Sequence, residues 1–542
     1  MIHPRMLWVM VLALATAAAA RAAEKGPGRF HDVSKEVGLD GARGAFPSWC
    51  DYDQDGHVDL YAGGRLYRNG GPPDFRFSDV TRDLFGGSPG GKGVWADANN
   101  DGVPDLAVPA KGKPEPDVAV KLWMNDGKGG FEEILVKGLE EREDFQYIGV
   151  LAWADVDQDG WADLFAACSE DWNDGKPRYF KRFLFRNRKA GRFEDITEKA
   201  GIAGAPPRYT RGAIFGDFDN DGDADLYVAN YRIEDNFLWE NRGDGTFVNV
   251  AADKGVKGTG RRFKGQGRTW YGHSIAAAWG DLDNDGNLDL WVSNLVHKDG
   301  KYGYHRGYIC DDSKIYLNGG APDFAFRDAR KDMGIAVLPL DGIGEKPDGS
   351  KTIVDELWAG IALGDMDNDG DLDAFVPQVY DLPWAFAHLY RNEGNGTLTR
   401  VEDEAGVRVF DTYSGAWADF DEDGFLDLAT WGRPEVGKKR RLMLYRNPGG
   451  EGQWLKVRLR TDGNGGTAIG ARLTLRFGED LAIRETRAGT SSHGQQDSPL
   501  VHFGLGNRKP DVLEVRWPTG RTRRFPDPKP GSTLQASEPR KD

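Results

Sequence analysis

The sequence predicts an all-β protein built from a repeated four-stranded unit. A nine-residue acidic motif, D-x-[DN]-x-D-G-x-x-D, occurs seven times, beginning at Asp51, Asp97, Asp155, Asp217, Asp281, Asp365 and Asp419. Apolar residues flank the final aspartate of each motif, and this alternation is typical of the start of a half-buried strand. Similar apolar segments recur before and after every motif, which favours a repeat architecture made of strands.

Each repeat supplies four strand-like segments around its motif. The first is rich in small and apolar residues, as in 149–154, and the second follows the motif directly, as in 225–229. The third ends in an asparagine, as in 66–69, and the fourth is short, as in 77–80. Small residues suit an inner strand beside a central channel, and the loose spacing of the motifs fits propeller blades with their connections. The sequence therefore predicts a seven-bladed β-propeller over residues 24–450.

The last repeat lacks a fourth strand of its own. An unpaired edge strand invites aggregation, so the ring has to close. Residues 30–33 have the form of a fourth strand yet precede the first motif, and the seventh repeat runs out after Asn447. We therefore expect the N-terminal segment to complete the seventh blade. The alternative is that residues 454–459 supply the missing strand.

The composition of the motif predicts a calcium loop. Carboxylates this close together repel one another unless a cation lies among them, and Ca²⁺ prefers oxygen ligands. The glycine at position 6 allows a turn with positive φ, and the variable residue at position 7 suits a backbone-carbonyl ligand. Position 12 never carries the glutamate that an EF-hand needs. A solvated acidic turn is the alternative for one copy, but it explains seven copies poorly.

We predict up to seven Ca²⁺ ions, each held by the side chains at positions 1, 3, 5 and 9. The predicted ligands are Asp51, Asp53, Asp55 and Asp59; Asp97, Asn99, Asp101 and Asp105; Asp155, Asp157, Asp159 and Asp163; Asp217, Asp219, Asp221 and Asp225; Asp281, Asp283, Asp285 and Asp289; Asp365, Asp367, Asp369 and Asp373; Asp419, Asp421, Asp423 and Asp427.

Residues 1–23 have the features of a secretory signal peptide. Arg5 precedes an apolar run over 6–20, and a small-x-small cleavage site ends near Ala22/Ala23. The run is too short for a secure membrane span, and we find no second one. We therefore expect a secreted, periplasmic or cell-surface protein. Its three cysteines allow at most one disulfide, so another interaction must stabilise the fold.

The acidity of the chain is consistent with bound metal. Loss of the signal changes the formal charge from −16 to about −18, and seven Ca²⁺ ions would bring it to about −4. Much of the negative charge is then ligand charge. The acidic balance and the lack of a long basic cluster argue against a nucleic-acid partner.

The repeats resemble the FG-GAP/VCBS repeats of integrin-α-like propellers, in which such loops bind calcium between blade strands. The segments W-L-K-V-R-L (454–459), A-I-G-A-R (468–472), H-F-G-L-G (502–506) and V-R-W-P-T-G (515–520) are similar to the ASPIC/UnbV domain. The combination resembles cartilage-acidic-protein-like and UnbV-like exported proteins. The resemblance implies a fold and calcium more firmly than an activity. The loop G-T-S-S-H-G (489–494) departs from the family pattern, because an aromatic residue is expected there.

Residues 451–526 read as a small all-β domain, with alternation in 454–459, 471–477 and 512–517. The Pro-rich composition of residues 527–542 predicts a disordered tail.

A binding function is favoured over catalysis. Ser492 and His493 are merely adjacent in sequence, and no nucleophile-elbow or zinc motif occurs, so we predict no catalytic residues. The long fifth repeat is rich in aromatic and basic residues that suit a glycan or protein partner, although a well-packed loop is the alternative. The candidate ligand-binding residues are Trp270, Tyr271, His273, His297, Tyr302, Tyr304, His305, Arg306 and Tyr308.

The alternative function is a calcium-dependent, lyase-like enzyme that degrades acidic polysaccharides. It would need a base and an electrostatic stabiliser at the mouth of the channel. His273, His305 and Arg306 are the grouped candidates for these roles.

Overall fold

The computed structural model describes residues 28–109, 120–135, 148–168, 171–173, 176–178, 181–189, 191–262, 269–296, 311–336, 343–345, 351–353, 356–461 and 468–540. These residues form an all-β protein in which most strands belong to four-stranded antiparallel sheets. One short α-helix, α1 (Thr81–Phe85), and a 3₁₀ turn at Ile202–Gly204 are the helical elements in the described ranges.

In the described part of the first 450 residues, seven larger antiparallel sheets follow one another, and β1 (His31–Asp32) belongs to the last of them. Sheet 1 contains β2 (Ser48–Cys50), β3 (Asp59–Ala62), β4 (Arg65–Asn69) and β5 (Phe77–Asp79). Sheet 2 contains β6 (Val94–Ala96), β7 (Asp105–Pro109), β8 (Val120–Asn125) and β9 (Phe131–Leu135). Sheet 3 contains β10 (Ile148–Ala154), β11 (Asp163–Cys168), β14 (Arg182–Asn187) and β15 (Phe193–Asp195). The hairpin β12 (Asp171–Asn173) and β13 (Lys176–Arg178) lies between β11 and β14 in the chain.

Sheet 4 contains β16 (Thr210–Gly216), β17 (Asp225–Asn230), β18 (Phe237–Asn241) and β19 (Phe247–Asn249). After the hairpin β20 (Arg261–Arg262) and β21 (Thr269–Trp270), sheet 5 contains β22 (Ser274–Gly280), β23 (Asp289–Val296), β24 (Lys314–Asn318) and β25 (Phe326–Asp328). After the hairpin β26 (Ile343–Glu345) and β27 (Lys351–Ile353), β28 (Glu356–Leu357) pairs with β23. Sheet 6 contains β29 (Ala362–Gly364), β30 (Asp373–Val376), β31 (His388–Asn392) and β32 (Leu398–Arg400). Sheet 7 contains β33 (Gly415–Ala418), β34 (Asp427–Gly432), β35 (Arg441–Arg446) and β1.

The N-terminal strand completes the last of these sheets, as predicted. In the antiparallel pair β1 and β35, His31 lies opposite Arg446 and Asp32 opposite Tyr445. The alternative was wrong, because residues 454–459 belong to a strand of the C-terminal module. That strand, β36 (Gln453–Arg460), pairs with two later strands of the module instead.

The hydrophobic core consists mainly of clusters between consecutive sheets. One such cluster joins sheets 3 and 4, the next joins sheets 4 and 5, and another joins sheet 7 to sheet 1. The first strands contribute large side chains, and Trp49, Trp95 and Trp153 are at most 1% exposed. A buried aromatic side chain of this size contributes about 2–3 kcal/mol relative to an exposed one. Each sheet is therefore stabilised by both of its neighbours.

The antiparallel order gives the array of sheets two distinct sides. The acidic motifs connect first to second strands, so they lie on one side, which we call the loop face. The connections from second to third strands, and from each fourth strand to the next sheet, lie on the other side, which we call the open face. The first strands lie next to one another, as shown by contacts of β2 with both β6 and β33.

The C-terminal module follows as two sheets around its own core. One sheet has the order β39 (Val501–Gly506), β36 and β42 (Ser532–Ser537). The other has the order β38 (Asp480–Glu485), β37 (Arg472–Phe477), β40 (Val512–Arg516) and β41 (Thr522–Pro526). Buried leucine, valine and alanine side chains from both sheets meet between them. No helix in the described part of the chain is long and apolar enough to cross a membrane.

The prediction of a disordered tail was wrong. Within residues 527–542, β42 pairs in parallel with β36 along six residues, from Leu455 opposite Ser532 to Arg460 opposite Ser537. The prediction relied on the Pro-rich composition and overlooked a short alternation of exposed and buried side chains. In this alternation Ala536 is fully buried and Leu534 is partly buried. Backbone pairing and these two side chains provide the stabilisation that composition alone did not suggest.

We expect Ala536→Asp to destabilise the C-terminal module by about 3 kcal/mol or more, because it places an unpaired carboxylate in the core. Thr533→Asp is the matched control, since Thr533 is exposed on the same strand. Urea unfolding and limited proteolysis of the two variants would measure the difference. Equal unfolding midpoints would show that β42 does not belong to the folded core.

Candidate functional site

The acidic motifs form seven loops of nearly identical backbone geometry, which we number 1 to 7 in chain order. The glycine at position 6 has a positive φ in every loop, from 86° at Gly160 to 106° at Gly222. The residue at position 4 also has a positive φ, for example 55° at Gln54 and 60° at Asn368. The predicted glycine conformation is confirmed, whereas the left-handed residue at position 4 was not predicted.

The aspartate at position 9 is held by the backbone on both of its oxygens. In loop 5, Asp289 Oδ2 accepts the N–H of Leu282 at 2.7 Å, and Oδ1 accepts the N–H of Asn318 at 2.8 Å. The same pair of bonds, to the position-2 N–H and to the asparagine that ends the third strand, occurs at Asp59 and in the other loops. The loop is therefore fixed to its own sheet.

In at least four loops the carboxylates at positions 1, 3 and 9 converge. Their oxygens lie within 4.8 Å of one another in groups such as Asp51, Asp53 and Asp59, and Asp365, Asp367 and Asp373. Oxygens bound to one Ca²⁺ at about 2.4 Å lie no more than about 4.8 Å apart, so the spacing fits one shared ion. In loop 5 the converging group is Asp281, Asp283 and Asp285.

Several of these buried oxygens make no hydrogen bond within the described part of the chain. They belong to positions 1 and 3 of the loops, at Asp53, Asp157, Asp217, Asp219, Asp365, Asp367, Asp419 and Asp421. A buried carboxylate oxygen without a donor is costly, and a hard cation among the oxygens removes that cost. The residues present therefore fit a divalent ion of the calcium type.

Burial and mutual repulsion raise the pKa of several loop carboxyl groups in the absence of an ion, as at Asp281, Asp59 and Asp105. Burial first, and neighbouring carboxylates second, raise the pKa of Asp281 to about 7. Burial also raises the pKa of Asp59 to about 9 and that of Asp105 to about 8. The metal-free loops therefore favour protons where the metal-bound loops need anions.

Side chains at position 4 connect each loop to the next one. Asn100 Nδ2 donates to Gly160 O at 2.8 Å, and Asn368 Nδ2 donates to Gly424 O at 3.0 Å. The remaining contacts are Gln54 to Gly102, Gln158 to Asp223, Asn220 to Asn287, Asn284 to Asp371, and Glu422 of loop 7 to His57 of loop 1. The contacts thus run from loop 1 to loop 7 and back to loop 1.

The asparagines that end the third strands make a second set of connections. Each donates its side-chain N–H to the position-2 carbonyl of the preceding loop. The pairs are Asn69 with Phe420, Asn125 with Tyr52, Asn187 with Ala98, Asn241 with Val156, Asn318 with Phe218, Asn392 with Leu282 and Asn447 with Met366. The asparagines were visible in the sequence as part of the third strand, but their partners in the neighbouring repeat were not.

The C-terminal module lies on the loop face, and its cations contact position-1 aspartates. Lys456 Nζ lies 2.5 Å from Asp419 Oδ2, and Arg458 Nη1 lies 3.0 Å from Asp51 Oδ2. Arg516 makes an ion pair with Oδ2 of Asp217. In Asp217 and Asp419 the other oxygen, Oδ1, is the one without a hydrogen bond. One carboxylate can therefore contact the module through one oxygen and an ion through the other.

A segment of the module, residues 487–498, enters the centre of the array, and we call it the plug segment. Its backbone and side chains bond to the first strands or their ends in all seven sheets, at Trp49, Trp95, Trp153, Arg211, Trp279, Ile361 and Trp417. For example, Trp49 N–H donates to Gln496 O at 3.0 Å, and Trp417 N–H donates to Asp497 Oδ1 at 2.8 Å. A cavity of about 490 Å³ remains between the loop face and the module.

The plug segment contains the loop that departs from the family pattern. Ser492 is fully buried, and its hydroxyl donates to Tyr413 O at 3.3 Å, so it does not pair with His493. Gly489 suits the close approach to the first strand of sheet 3, since a Cβ there would lie 2.8 Å from Leu151 O. The sequence offered no signal that this segment occupies the channel.

The predicted ligand-binding residues are described only in part. Trp270 and Tyr271 are half-buried on the open face, and His273 is buried against the ring of Tyr231 at 4.8 Å between centroids. His297, Tyr302, Tyr304, His305, Arg306 and Tyr308 lie outside the described residues. Of the three groups considered for lyase chemistry, His273 alone is thus placed.

Comparison with known proteins identifies both parts of the chain. The family model described as FG-GAP-like repeat matches residues 51–108, 155–228 and 217–292, and the model ASPIC and UnbV matches residues 461–542. The last match includes β42.

Cartilage acidic protein 1 is among the similar curated proteins. The chain is 27% identical to it in Homo sapiens over 60% of this chain and 43% of that protein, and 28% identical in Xenopus tropicalis over 62% and 46%. A T-cell immunomodulatory protein homolog from Plasmodium yoelii yoelii is 22% identical over 77% of this chain and 58% of that protein. The chain thus spans less than half the length of cartilage acidic protein 1.

Among solved structures, the exotype rhamnogalacturonan lyase YesX is similar with a TM-score of 0.30, 14% identity, and coverage of 92% of this chain and 70% of that one. BBS1N in complex with ARL6DN gives a TM-score of 0.37, 10% identity, and coverage of 78% and 98%. Likenesses this weak have no bearing on activity.

We expect calcium to stabilise the protein more at pH 8 than at pH 6. Carboxyl groups whose folded pKa is raised stabilise the metal-free fold fully below their unfolded pKa of about 4. That contribution is lost as pH rises through folded values of about 7 to 9. Bound calcium removes this loss because it favours the anions.

Melting temperatures of resin-stripped protein, with and without 2 mM Ca²⁺ at both pH values, would test this. Magnesium at the same concentration is the control, because it fits a flexible all-protein site poorly. An identical calcium shift at both pH values would contradict the proposed competition between protons and metal.

We expect Asn318→Ala to destabilise the fold by about 2–3 kcal/mol. The substitution removes two buried bonds, to Phe218 O at 2.8 Å and to Leu288 O at 3.2 Å, and leaves both carbonyls without that donor. Asn395→Ala removes an exposed asparagine and should cost much less. Denaturant unfolding in calcium would measure both, and equal losses would argue against a structural role for the connection between sheets.

Proposed function

The chain contains FG-GAP-like repeats and an ASPIC and UnbV domain, and on this premise we propose that it is an exported, calcium-binding scaffold. Its repeats form a seven-bladed β-propeller over residues 24–450. Its acidic loops hold calcium, and its open face binds a glycan or protein partner outside the cytoplasm.

The observation that carries this function is the unequal use of the two faces. The C-terminal module lies on the loop face through Lys456, Arg458 and Arg516, and the plug segment fills the channel. The open face is left to the connections between strands, and such connections on a rigid scaffold commonly bind ligands. The predicted residues Trp270, Tyr271 and His273 lie on this face.

The contacts between sheets support a closed ring of seven blades. Hydrophobic clusters join consecutive sheets, including sheet 7 to sheet 1. The third-strand asparagines and the position-4 side chains each give the same cyclic order. Propellers avoid exposed edges by such radial repetition.

The converging carboxylates support calcium as a ligand required for folding. A site kept at 100 times its dissociation constant adds about 2.7 kcal/mol to stability, so several sites together rival the 5–15 kcal/mol of a whole domain. A calcium ion in each loop would offset the repulsion among its carboxylates. Because hydrogen bonds connect the loops to one another, this stabilisation would extend to neighbouring blades.

An array of glycans and extracellular proteins, probed with the full chain lacking residues 1–23, tests the proposal. We expect selective binding in 2 mM Ca²⁺ and its loss after the metal is stripped, together with a fall in melting temperature. Incubation with uronic-acid polymers provides the enzymatic comparison. Unsaturated products that disappear with His273→Ala would replace the scaffold function with a lyase, and no binding to any array component would refute the scaffold.

A further inference from the structure

The mouth of the channel on the open face combines basic and aromatic side chains from several sheets. Phe46 and Lys92 precede β2 and β6, Arg211 belongs to β16, and Tyr231 follows β17. His493, from the plug segment, contacts this group from inside the channel. We propose that this mouth binds the carboxylate group of an acidic sugar. The inference deepens the proposed binding function, on which it rests.

Lys92 provides a cation without an acidic partner. Its ammonium donates to Gly149 O at 3.2 Å, and no carboxylate contacts it in the part of the chain that the structure describes. It lies 5.1 Å from the centroid of the Phe46 ring. Burial first, and Arg211 second, lower the pKa of Lys92 to about 7. An anion bound in the mouth would stabilise the charged ammonium of Lys92 and offset the repulsion from Arg211.

His493 provides a second donor that lacks an acceptor. Arg211 Nη1 lies 3.3 Å from His493 Nε2, and because arginine can only donate, Nε2 must accept. The proton of the neutral imidazole is therefore on Nδ1. This nitrogen is buried and has no hydrogen-bond partner among the described residues. His493 itself is 4% exposed, so this N–H is also shielded from bulk water.

The neutral state of His493 follows from its surroundings. Burial, followed by the charges of Lys92 and Arg211, lowers the pKa of His493 well below its usual value. Lys92 and His493 thus bring an ammonium and an imidazole N–H to the mouth, beside the positive charge of Arg211. A group that accepts several hydrogen bonds and carries a negative charge is complementary to it.

Aromatic rings beside the donors indicate a sugar. The Phe46 ring lies 4.9 Å from that of His493, and the Arg211 guanidinium lies 4.9 Å from the Tyr231 ring. Phe46 has a φ of 59°, a conformation rare for a bulky residue, and its N–H donates to Ser414 Oγ at 3.2 Å. A pyranose ring can place its C–H face on an aromatic ring while its carboxylate meets the donors.

The plug segment makes an acidic peptide the less suitable ligand. Extended peptides bind by adding to a free strand edge. At the channel, the backbone groups of Trp49, Trp153 and Trp417 already bond to the plug segment. A peptide would therefore have to bind through its acidic side chains alone, and ordering those flexible chains costs conformational entropy.

Calorimetric titration of the calcium-loaded chain with trigalacturonic acid, and with its methyl ester, tests the inference. We expect binding of the acid and at least about tenfold weaker binding of the ester. Lys92→Met should weaken binding of the acid about tenfold or more. Lys439→Met is the matched control, because Lys439 is an exposed lysine on the connection from β34 to β35, also on the open face. It should bind like the unmodified protein.

Loss of folding can be separated from loss of binding. Lys92→Met removes a half-buried charge, so we expect its melting temperature to be unchanged or higher. In the unmodified protein, trigalacturonic acid should also protect Lys92 from reductive methylation at pH 7.5, as measured by mass spectrometry. Unaltered binding by Lys92→Met, or methylation of Lys92 that the acid does not slow, would overturn the inference.

Two further results bear on the ligand class and on the function. Equal or tighter binding of hexaglutamate than of trigalacturonic acid would overturn the assignment to a sugar. If trigalacturonic acid does not bind but other array components do, the inference fails while the scaffold function stands. If no array component binds, the scaffold function itself fails.

Discussion

The constraint on which this structure depends is the repulsion among carboxylates that the fold itself brings together. Position 9 of each loop is fixed by two backbone N–H groups, so its carboxylate cannot move away from positions 1 and 3. Position 4 then joins the loop to its neighbour. The hydrogen bonds that define the sheets therefore also hold the charges close to one another. The fold needs positive charge at these loops because its own bonds prevent the carboxylates from separating.

Part of the positive charge at the loops comes from the chain itself. Third-strand arginines pair with positions 3 and 5, as Arg68 does with Asp53 and Asp55. The C-terminal module adds Lys456, Arg458 and Arg516 at position 1. The loops consequently differ in how much charge is left for a metal to neutralise. The module therefore neutralises part of the negative charge of the repeats, and it packs against them through these ion pairs.

The strands and the loop geometry could be read from the sequence because they follow from local patterns. Alternation around Asp225 and Asp289 predicts a strand, and Gly222 in an acidic loop predicts a positive φ. The role of β1 was also predictable, because the sequence has an extra strand before the first repeat and lacks the fourth strand of the seventh repeat. The prediction for β42 failed since Ala536 and Leu534 gain their stabilisation from β36, about 80 residues earlier in the sequence. The plug segment and the asparagine connections were likewise invisible, because a polar residue gives no sign of a partner in another repeat.

The pairing of β1 with β35 has a consequence for how the molecule is made. The two strands are separated by almost the entire length of the repeats, yet they form one sheet. During synthesis, the amino-terminal strand β1 has no partner until the last repeat, which contains β35, has been made. A chain interrupted anywhere before Arg446 would leave both ends of the array exposed and open to degradation. Complete pairing of the repeats therefore requires a polypeptide that extends from His31 to Arg446.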